Sequence, residues 1–229
     1  MYVMKSDSSF IKLNKGQKNL IIAFSGWTQS TSQDTTDGFE WYNSVSSLSF
    51  VDSLFVKDDK RQAFLNGVEG MGKNVEELIE FFRKQMHGYE KVIFIGTCGI
   101  SPAALLYASL LNAHATLSYI PQIDLELLLE QGFKQILRVK ESNTDAYEKY
   151  KDVRKFLNKT TKYYCNPIGS SMSDRLHSNE QYNLINHLPN VYHIHENIRQ
   201  TIKTGMFSEL IIKILEIIPM VEKENIDNM

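Results

Sequence analysis

The sequence predicts an α/β protein, a single domain in which helices cover both faces of a mostly parallel central sheet. Three observations support this fold class. Six short apolar runs, rich in Ile, Val, Phe and Tyr, are distributed along the chain. Stretches with helical spacing separate most of these runs, and strands that alternate with helices form parallel sheets. The runs are apolar throughout rather than alternating, which is typical of strands buried on both faces.

The apolar runs give the predicted strands, which are Leu20–Phe24, Leu54–Val56, Val92–Ile95, Thr116–Ile120, Lys162–Cys165 and Val191–His195. We expect Val92–Ile95 to lie near the centre of the sheet. An earlier run, Phe10–Leu13, is separated from Leu20–Phe24 by a short polar turn. This arrangement predicts an antiparallel hairpin at one edge of the sheet.

The most regular helical pattern covers Val75–His87, where apolar residues recur at intervals of three and four. Asn74 is placed to cap this helix at its start, and Gly88 is placed to end it. Further helices are predicted at Pro102–Asn112, Leu125–Glu130, Tyr147–Leu157, Glu180–His187 and Met206–Ile218. The core of the predicted domain covers about residues 9–218, and residues 219–229 form a polar tail.

Composition excludes several classes of protein. Apolar residues make up 42% of the 229 residues, enough for a sizeable core. The 25 Lys and Arg against 27 Asp and Glu argue against a nucleic-acid-binding protein, because no excess of cations is available to neutralise phosphates. Two cysteines without CxxC spacing predict neither a disulfide framework nor a zinc site, and we expect no metal. No apolar run reaches the roughly 20 residues of a membrane span, and no signal peptide is visible, so we expect a cytoplasmic protein.

Ligands of such sheets bind beyond the carboxyl ends of the strands, so chemistry is expected just after each apolar run. The segment after Val92–Ile95 is the most informative, because a turn of small residues leads directly into an Ala- and Leu-rich helix. A strand, a tight turn and an immediate helix form the setting of a nucleophile elbow. The side chain that projects from this turn would be Cys98. The N-terminus of a helix lowers the pKa of a cysteine, so we expect a reactive thiolate there.

The sequence of Ile95–Leu106, IGTCGISPAALL, resembles the Gly-x-Ser-x-Gly-Gly-x-Ala-Ala-Leu elbow of α/β-hydrolase-fold enzymes. It is similar to compact members from bacterial capsule and surface-polysaccharide clusters, including polysaccharide O-acetyltransferases. Other segments fit the same enzymes, and the resemblance covers about residues 20–218: Ile21–Gly26, Leu54–Asp58, Ser118–Gln122 and His195–Gly205. The resemblance implies an α/β-hydrolase-like fold and acyl transfer in a carbohydrate context.

A nucleophile, an acid and a base are expected in that order along the chain. Cys98, Asp174 and His195 supply this order. His193 projects from the same side of its strand as His195, but His195 lies nearer the strand end and is therefore the predicted base. Asp124 is a weaker alternative for the acid, and Asp174 could instead be the N-cap of the helix that follows it.

An oxyanion site needs backbone N–H groups, and the residues that supply them can be predicted only from their positions in the sequence. We expect them to come from Gly99, directly after the nucleophile, and from Gly26 and Trp27 in the loop after the first core strand. Cys165 lies inside an apolar run and is predicted to pack in the core. The segment Asp58–Arg61 is predicted to be an exposed charged turn.

Three residues depart from the pattern of the family. Cys98 stands where serine is usual, and Ile100 and Ser101 stand where glycines are usual. Because a β-branched residue in a strained turn is costly, a catalytically silent binding or assembly protein is the alternative hypothesis. The first hypothesis is an esterase or a carbohydrate O-acyltransferase that takes a small-molecule acyl donor. It predicts no cofactor, with acyl-CoA as a candidate co-substrate.

Overall fold

A computed structural model of the chain describes residues 2–7, 9–26, 35–36, 38–168, 172–195, 201–202 and 204–218. Eight strands form one sheet in the order β1-β2-β6-β3-β7-β8-β9-β10, and β4 and β5 form a short hairpin. The strands are β1 (Tyr2–Asp7), β2 (Phe10–Asn14), β3 (Asn19–Phe24), β4 (Thr35–Thr36), β5 (Phe39–Glu40), β6 (Asp52–Val56), β7 (Lys91–Thr97), β8 (Ala115–Tyr119), β9 (Lys162–Asn166) and β10 (Val191–His193). In the large sheet only β2 runs against the other strands.

The mostly parallel sheet confirms the predicted fold class, and β7 lies near its centre as predicted. The predicted hairpin is wrong. Strand β2 pairs with β1 and β6, and β6 separates it from β3. The reason is that β3 pairs with parallel neighbours on both sides and is fully buried from Leu20 to Phe24, so no free edge of β3 faces β2.

The helices are α1 (Tyr42–Ser46), α2 (Val75–Met86), α3 (Ser101–Leu110), α4 (Leu125–Glu130), α5 (Lys134–Ser142), α6 (Thr144–Tyr150), α7 (Met172–Asn183) and α8 (Phe207–Ile217), with 3-10 turns at Cys98–Ile100 and Val153–Phe156. Helix α2 is capped as predicted, because the side chain of Asn74 accepts the N–H of Glu77 at 2.8 Å and Gly88 follows with a φ of 86°. Helices α1 and α5 were not predicted. Helix α7 begins eight residues before the predicted start at Glu180.

Helices cover both faces of the sheet. Alternate residues of a strand point to opposite faces, and in β3 the two sets enter two separate apolar clusters. Leu20, Ile22 and Phe24 pack with residues of α2 and α3. Ile21 and Ala23 pack with residues of α1 and α8. The carboxyl ends of the parallel strands therefore open at one edge of a three-layer structure, which we call the carboxyl edge.

A buried histidine lies at the opposite, amino edge of the sheet. His114 precedes β8 and is 8% exposed, and its Nδ1 accepts the backbone N–H of Val92 at 3.1 Å. Burial lowers the pKa of His114, and the nearby charge of Lys91 lowers it further. Protonation of Nδ1 would break the hydrogen bond to Val92, so the folded protein holds this imidazole neutral.

We expect the free energy of unfolding to fall as the pH is lowered from about 7 to about 5, around the ordinary histidine pKa. The unfolded chain takes up the proton more readily than the folded one, so the unfolded state is favoured as the pH falls. Urea denaturation of His114→Gln should show a weaker pH dependence than the wild type. His187→Gln, which replaces an exposed histidine, is the control. An unchanged pH dependence in His114→Gln would contradict the assignment.

Candidate active site

The turn between β7 and α3 carries the predicted nucleophile. Strand β7 ends at Thr97, Cys98–Ile100 form a 3-10 turn, and α3 begins at Ser101. Cys98 has a φ of 50°, in the left-handed region that residues other than glycine rarely occupy. Strained residues of this kind cluster at functional sites, and a nucleophile elbow is a strained strand-to-helix turn. The backbone at Cys98 therefore has the character that an elbow requires.

Gly96 allows β7 and α3 to approach each other closely. A Cβ atom at this position would lie 2.8 Å from the Cβ of Ala104 and 3.1 Å from the Cα of Ser101. Real Cβ atoms essentially never come as close as the first of these distances. Glycine is therefore required here for the close packing of strand and helix.

The register of the sheet places the ends of β7 and β10, which precede Cys98 and His195, at the same level of the carboxyl edge. One row of paired residues crosses four neighbouring strands, and it consists of Gly96, Ser118, Cys165 and His193. Cys98 and His195 each follow this row by two residues in the parallel direction. Strands β8 and β9 lie between β7 and β10, so Cys98 and His195 follow strands that are separated by two others at the carboxyl edge.

His195 is exposed at the end of β10, and its ring lies beside that of His193 with centroids 4.2 Å apart. The two histidines therefore lie on the same side of the strand, as predicted. Burial and the neighbouring His195 lower the pKa of His193. Between them, Ile194 is held by its N–H to the carbonyl oxygen of Cys165 at 2.8 Å and by its own carbonyl to the side chain of Asn166 at 2.9 Å.

Gly26 lies two residues beyond the end of β3, the strand that neighbours β7. Ala23 of β3 pairs with Ile95 of β7, and Gly26 and Cys98 each follow this pair by three residues. A Cβ at Gly26 would lie 3.0 Å from both carboxylate oxygens of Glu40, so the loop after β3 passes close to that side chain. Trp27, the other residue predicted here, lies outside the described residues.

The two candidates for the acid occupy helix starts. Asp174 lies in the first turn of α7, so it neither stands in a loop nor caps this helix, which begins at Met172. The side chain of Asp174 lies outside the described part of the structure. Asp124 is the N-cap of α4, where its Oδ1 accepts the N–H of Glu126 at 2.9 Å and its Oδ2 binds Arg154 at 2.9 Å. This places Asp124 in a structural role.

No protein-family profile matches the chain, and no curated protein matches it. Among solved structures, the capsule O-acetyltransferase of Neisseria meningitidis serogroup A is similar with a TM-score of 0.62 and 15% identity, over 93% of each chain. A lipase/esterase from Lactobacillus plantarum gives a TM-score of 0.52 and 10% identity, over 94% of this chain and 96% of that one.

An α/β hydrolase enzyme from the metagenome of lagoon sediments at Mar Chica, Morocco, gives a TM-score of 0.53 and 13% identity, over 94% of this chain and 98% of that one. The fold is that of the α/β hydrolases. In this fold the oxyanion site combines the N–H after the nucleophile with an N–H from the loop after the third strand. In this chain Gly99 directly follows Cys98, and Gly26 lies in the loop after β3.

The β-branched Ile100 causes no backbone strain at this turn. Ile100 has φ −105° and ψ −7°, in the right-handed region, and its side chain is fully buried in the core. The 3-10 turn places the left-handed residue at Cys98 instead. A glycine at position 100 would therefore remove core packing without relaxing the turn.

The predicted charged turn after β6 is only partly exposed. Lys60 and Arg61 are exposed, but Asp58 is 7% exposed and accepts three backbone N–H groups, from Lys60, Gln62 and Phe64. Burial raises the pKa of Asp58, and these hydrogen bonds oppose that effect. The carboxylate organises a loop that contains three left-handed residues other than glycine: Arg61, Ala63 and Phe64.

Ile120 is another strained residue at the carboxyl edge, and the sequence did not indicate it. Its φ is 50°, and its N–H donates to the carbonyl oxygen of Asn166 at 2.7 Å. A residue before proline usually adopts an extended conformation, so Pro121 pointed to the opposite outcome. Beyond it, Gln122 is 2% exposed, and its backbone N–H donates to the hydroxyl of Ser101, the residue at which α3 begins.

Among the described residues, no helix is long and apolar enough to cross a lipid bilayer. Nor does this part of the chain bring three or more His, Cys, Asp or Glu side chains together as ligands for a metal ion.

The two cysteines differ in their surroundings. Cys165 is fully buried, as predicted, and burial raises its pKa to about 12. Cys98 is half-buried at the carboxyl edge. We expect iodoacetamide near neutral pH to modify Cys98 at least about 100-fold faster than Cys165, because only the thiolate reacts. Peptide mass spectrometry over time measures both rates, and in urea they should become similar. Two equally inert thiols in the folded protein would favour the catalytically silent alternative.

Proposed function

We propose that the protein is an acyl-transfer enzyme with Cys98 as its nucleophile. The observation that carries this proposal is the left-handed backbone of Cys98 at the strand-to-helix turn of an α/β-hydrolase fold. Strained residues of this kind cluster at active sites, and a nucleophile elbow has its nucleophile at a strained strand-to-helix turn. A catalytically silent protein is less well supported, since Ile100 occupies an ordinary conformation.

In the proposed reaction, His195 accepts the thiol proton of Cys98, and Asp174 orients the imidazole. The thiolate attacks the carbonyl carbon of an ester or thioester. The negative charge that develops on the carbonyl oxygen is held by the N–H of Gly99 and by N–H groups of the loop at Gly26 and Trp27. Collapse of this intermediate forms a thioester on Cys98, and His195 returns the proton to the leaving group.

The second half of the proposed reaction transfers the acyl group from Cys98 to an acceptor. Either water or a sugar hydroxyl loses its proton to His195 and attacks the thioester, which restores the free thiol. The fold shared with the capsule O-acetyltransferase, also solved in complex with CoA, supports an acyl-CoA donor and a carbohydrate acceptor. Such a donor would suit the cytoplasmic location predicted from the sequence. With water as acceptor the enzyme would be an esterase.

The intermediate can be tested directly by mass spectrometry. The protein is incubated with acetyl-CoA or with p-nitrophenyl acetate, quenched with acid, and measured intact and after digestion. We expect a mass increase of one acetyl group, located on Cys98. Addition of an oligosaccharide with free hydroxyls should shorten the lifetime of this adduct if a sugar is the acceptor. Acetylation confined to lysines, or absent, would refute the proposed function.

A further inference from the structure

Ser101 occupies a position where the elbow motif of α/β-hydrolase-fold enzymes has glycine. Its hydroxyl both donates and accepts a hydrogen bond. The side chain is 0% exposed. Its Oγ donates to the carbonyl oxygen of Cys98 at 2.8 Å and accepts the backbone N–H of Gln122 at 2.7 Å. The hydroxyl therefore links the nucleophile's own carbonyl to the segment that follows the neighbouring strand β8.

Two groups of Ser101 hold the same carbonyl. Besides the hydroxyl, the backbone N–H of Ser101 donates to the carbonyl oxygen of Cys98 and closes the 3-10 turn. The described peptide bonds include no cis bond, so the peptide between Cys98 and Gly99 is trans. In a trans peptide the C=O and the N–H point in opposite directions. Fixing the carbonyl of Cys98 therefore also fixes the direction of the N–H of Gly99.

The strained backbone of Ile120 fits this arrangement. Strand β8 ends at Tyr119, and the chain then turns through the left-handed Ile120, whose N–H is held by Asn166. Two residues later the N–H of Gln122 reaches the hydroxyl of Ser101. The hydroxyl of Ser101 thus connects the carbonyl of the strained Cys98 to the segment that directly follows the strained Ile120.

We infer that Ser101 is a positioning residue, which aims the N–H of Gly99 at the oxyanion by holding the carbonyl of Cys98. Its catalytic effect rests on the proposed function, in which that N–H stabilises the tetrahedral intermediate. The side chain of Ser101 acts through the peptide between Cys98 and Gly99, and it takes no part in proton transfer.

The expected effect of Ser101→Ala is a fall in kcat with little change in KM. Loss of one oxyanion donor lowers kcat by about 100-fold or more in other enzymes, and a misdirected donor should lower it by about tenfold. With p-nitrophenyl acetate we expect this fall and a KM within about twofold of the wild type, because the donor acts on the transition state. Alkylation of Cys98 by iodoacetamide forms no oxyanion, so its rate should remain nearly unchanged. Ser101→Thr keeps the hydroxyl and should restore kcat.

Ser109→Ala is the matched control. Ser109 lies on the same helix, is 4% exposed, and has a hydroxyl that bonds the carbonyl oxygen of Leu105 at 2.6 Å and the hydroxyl of Tyr163 at 2.9 Å. The Ser109→Ala variant therefore also loses two hydrogen bonds of a buried hydroxyl, but at the end of α3 that is remote from the elbow. An equal fall of kcat in Ser109→Ala, or a wild-type kcat in Ser101→Ala, would overturn the inference.

A crystal structure of Ser101→Ala tests the positioning without any turnover. Rotation of the peptide between Cys98 and Gly99 supports the inference, and an unchanged peptide refutes it, even if the wild type forms no acetyl adduct and the proposed function fails. Ser101→Gly, which introduces the glycine of the family pattern, replaces the alanine variant if that variant does not fold.

Discussion

Cys98→Ala should abolish both acetyl-adduct formation and turnover of p-nitrophenyl acetate, while the free energy of unfolding changes little. Removal of a catalytic nucleophile lowers kcat by on the order of 10³-fold or more. The substitution removes a single sulfur atom from a half-buried position, so no large cavity forms in the core. Initial rates and urea denaturation measure the two effects. A variant that keeps full activity would show that the nucleophile lies elsewhere.

Cys98→Ser separates the nucleophile from its base. A serine hydroxyl depends on a general base far more than a cysteine thiol does, so turnover by this variant would show that an imidazole is correctly placed. Adding His195→Ala to Cys98→Ser should remove the remaining activity. His193→Ala is the matched control, because its ring lies 4.2 Å from that of His195 on the same side of the strand. Equal losses from both histidine substitutions would contradict the assignment of His195.

The sheet could be predicted because its physical signal is local. Strands buried on both faces require runs that are apolar throughout, and each of the six predicted runs corresponds to a strand. Pairing is not local, and here the prediction failed. Phe10–Leu13 and Leu20–Phe24 are close in sequence, yet β6 lies between their strands because the chain returns from a distant segment to pair with both.

At the site, the sequence identified the turn but not its backbone conformation. The small residues around Cys98 predicted a close approach of strand and helix, which Gly96 explains. The position of the strained residue could not be read from the residue types, since the β-branched Ile100 has an ordinary conformation and Cys98 is the strained residue. Ile120 gave no sign of its left-handed backbone for the same reason. Such conformations are imposed by the surrounding packing, which overrides local preference.

The burial of Asp58 and Ser101, two polar residues at the carboxyl edge, could not be predicted from the sequence either. Asp58 stands among charged neighbours and was predicted to be exposed, yet it is 7% exposed because three backbone N–H groups surround its carboxylate. Ser101 was noted only as a departure from a glycine. Its two hydrogen bonds depend on Gln122, which lies 21 residues further along the chain, and no local pattern reveals such a contact.

Gly96→Ala should destabilise the protein and disrupt the elbow together. The new Cβ would lie 2.8 Å from the Cβ of Ala104, 3.1 Å from the Cα of Ser101 and 3.3 Å from the carbonyl oxygen of Ile100. Helix α3 must then move away from β7, and overpacking of this kind costs about 1–3 kcal/mol. Because Cys98 lies between the two elements, we expect the rate of acyl transfer to fall as well.

The double variant Gly96→Ala/Ala104→Gly tests whether this contact is the cause. It removes the nearest clash at the expense of a glycine inside α3, which costs about 1 kcal/mol by itself. Urea denaturation of both single variants and the double variant gives the coupling energy, since additivity fails for residues in contact. We expect the double variant to be more stable than the sum of the single changes predicts, and to regain part of the lost activity. Strictly additive effects would mean that the spacing of β7 and α3 is set by other contacts, and that Gly96 does not fix the position of Cys98.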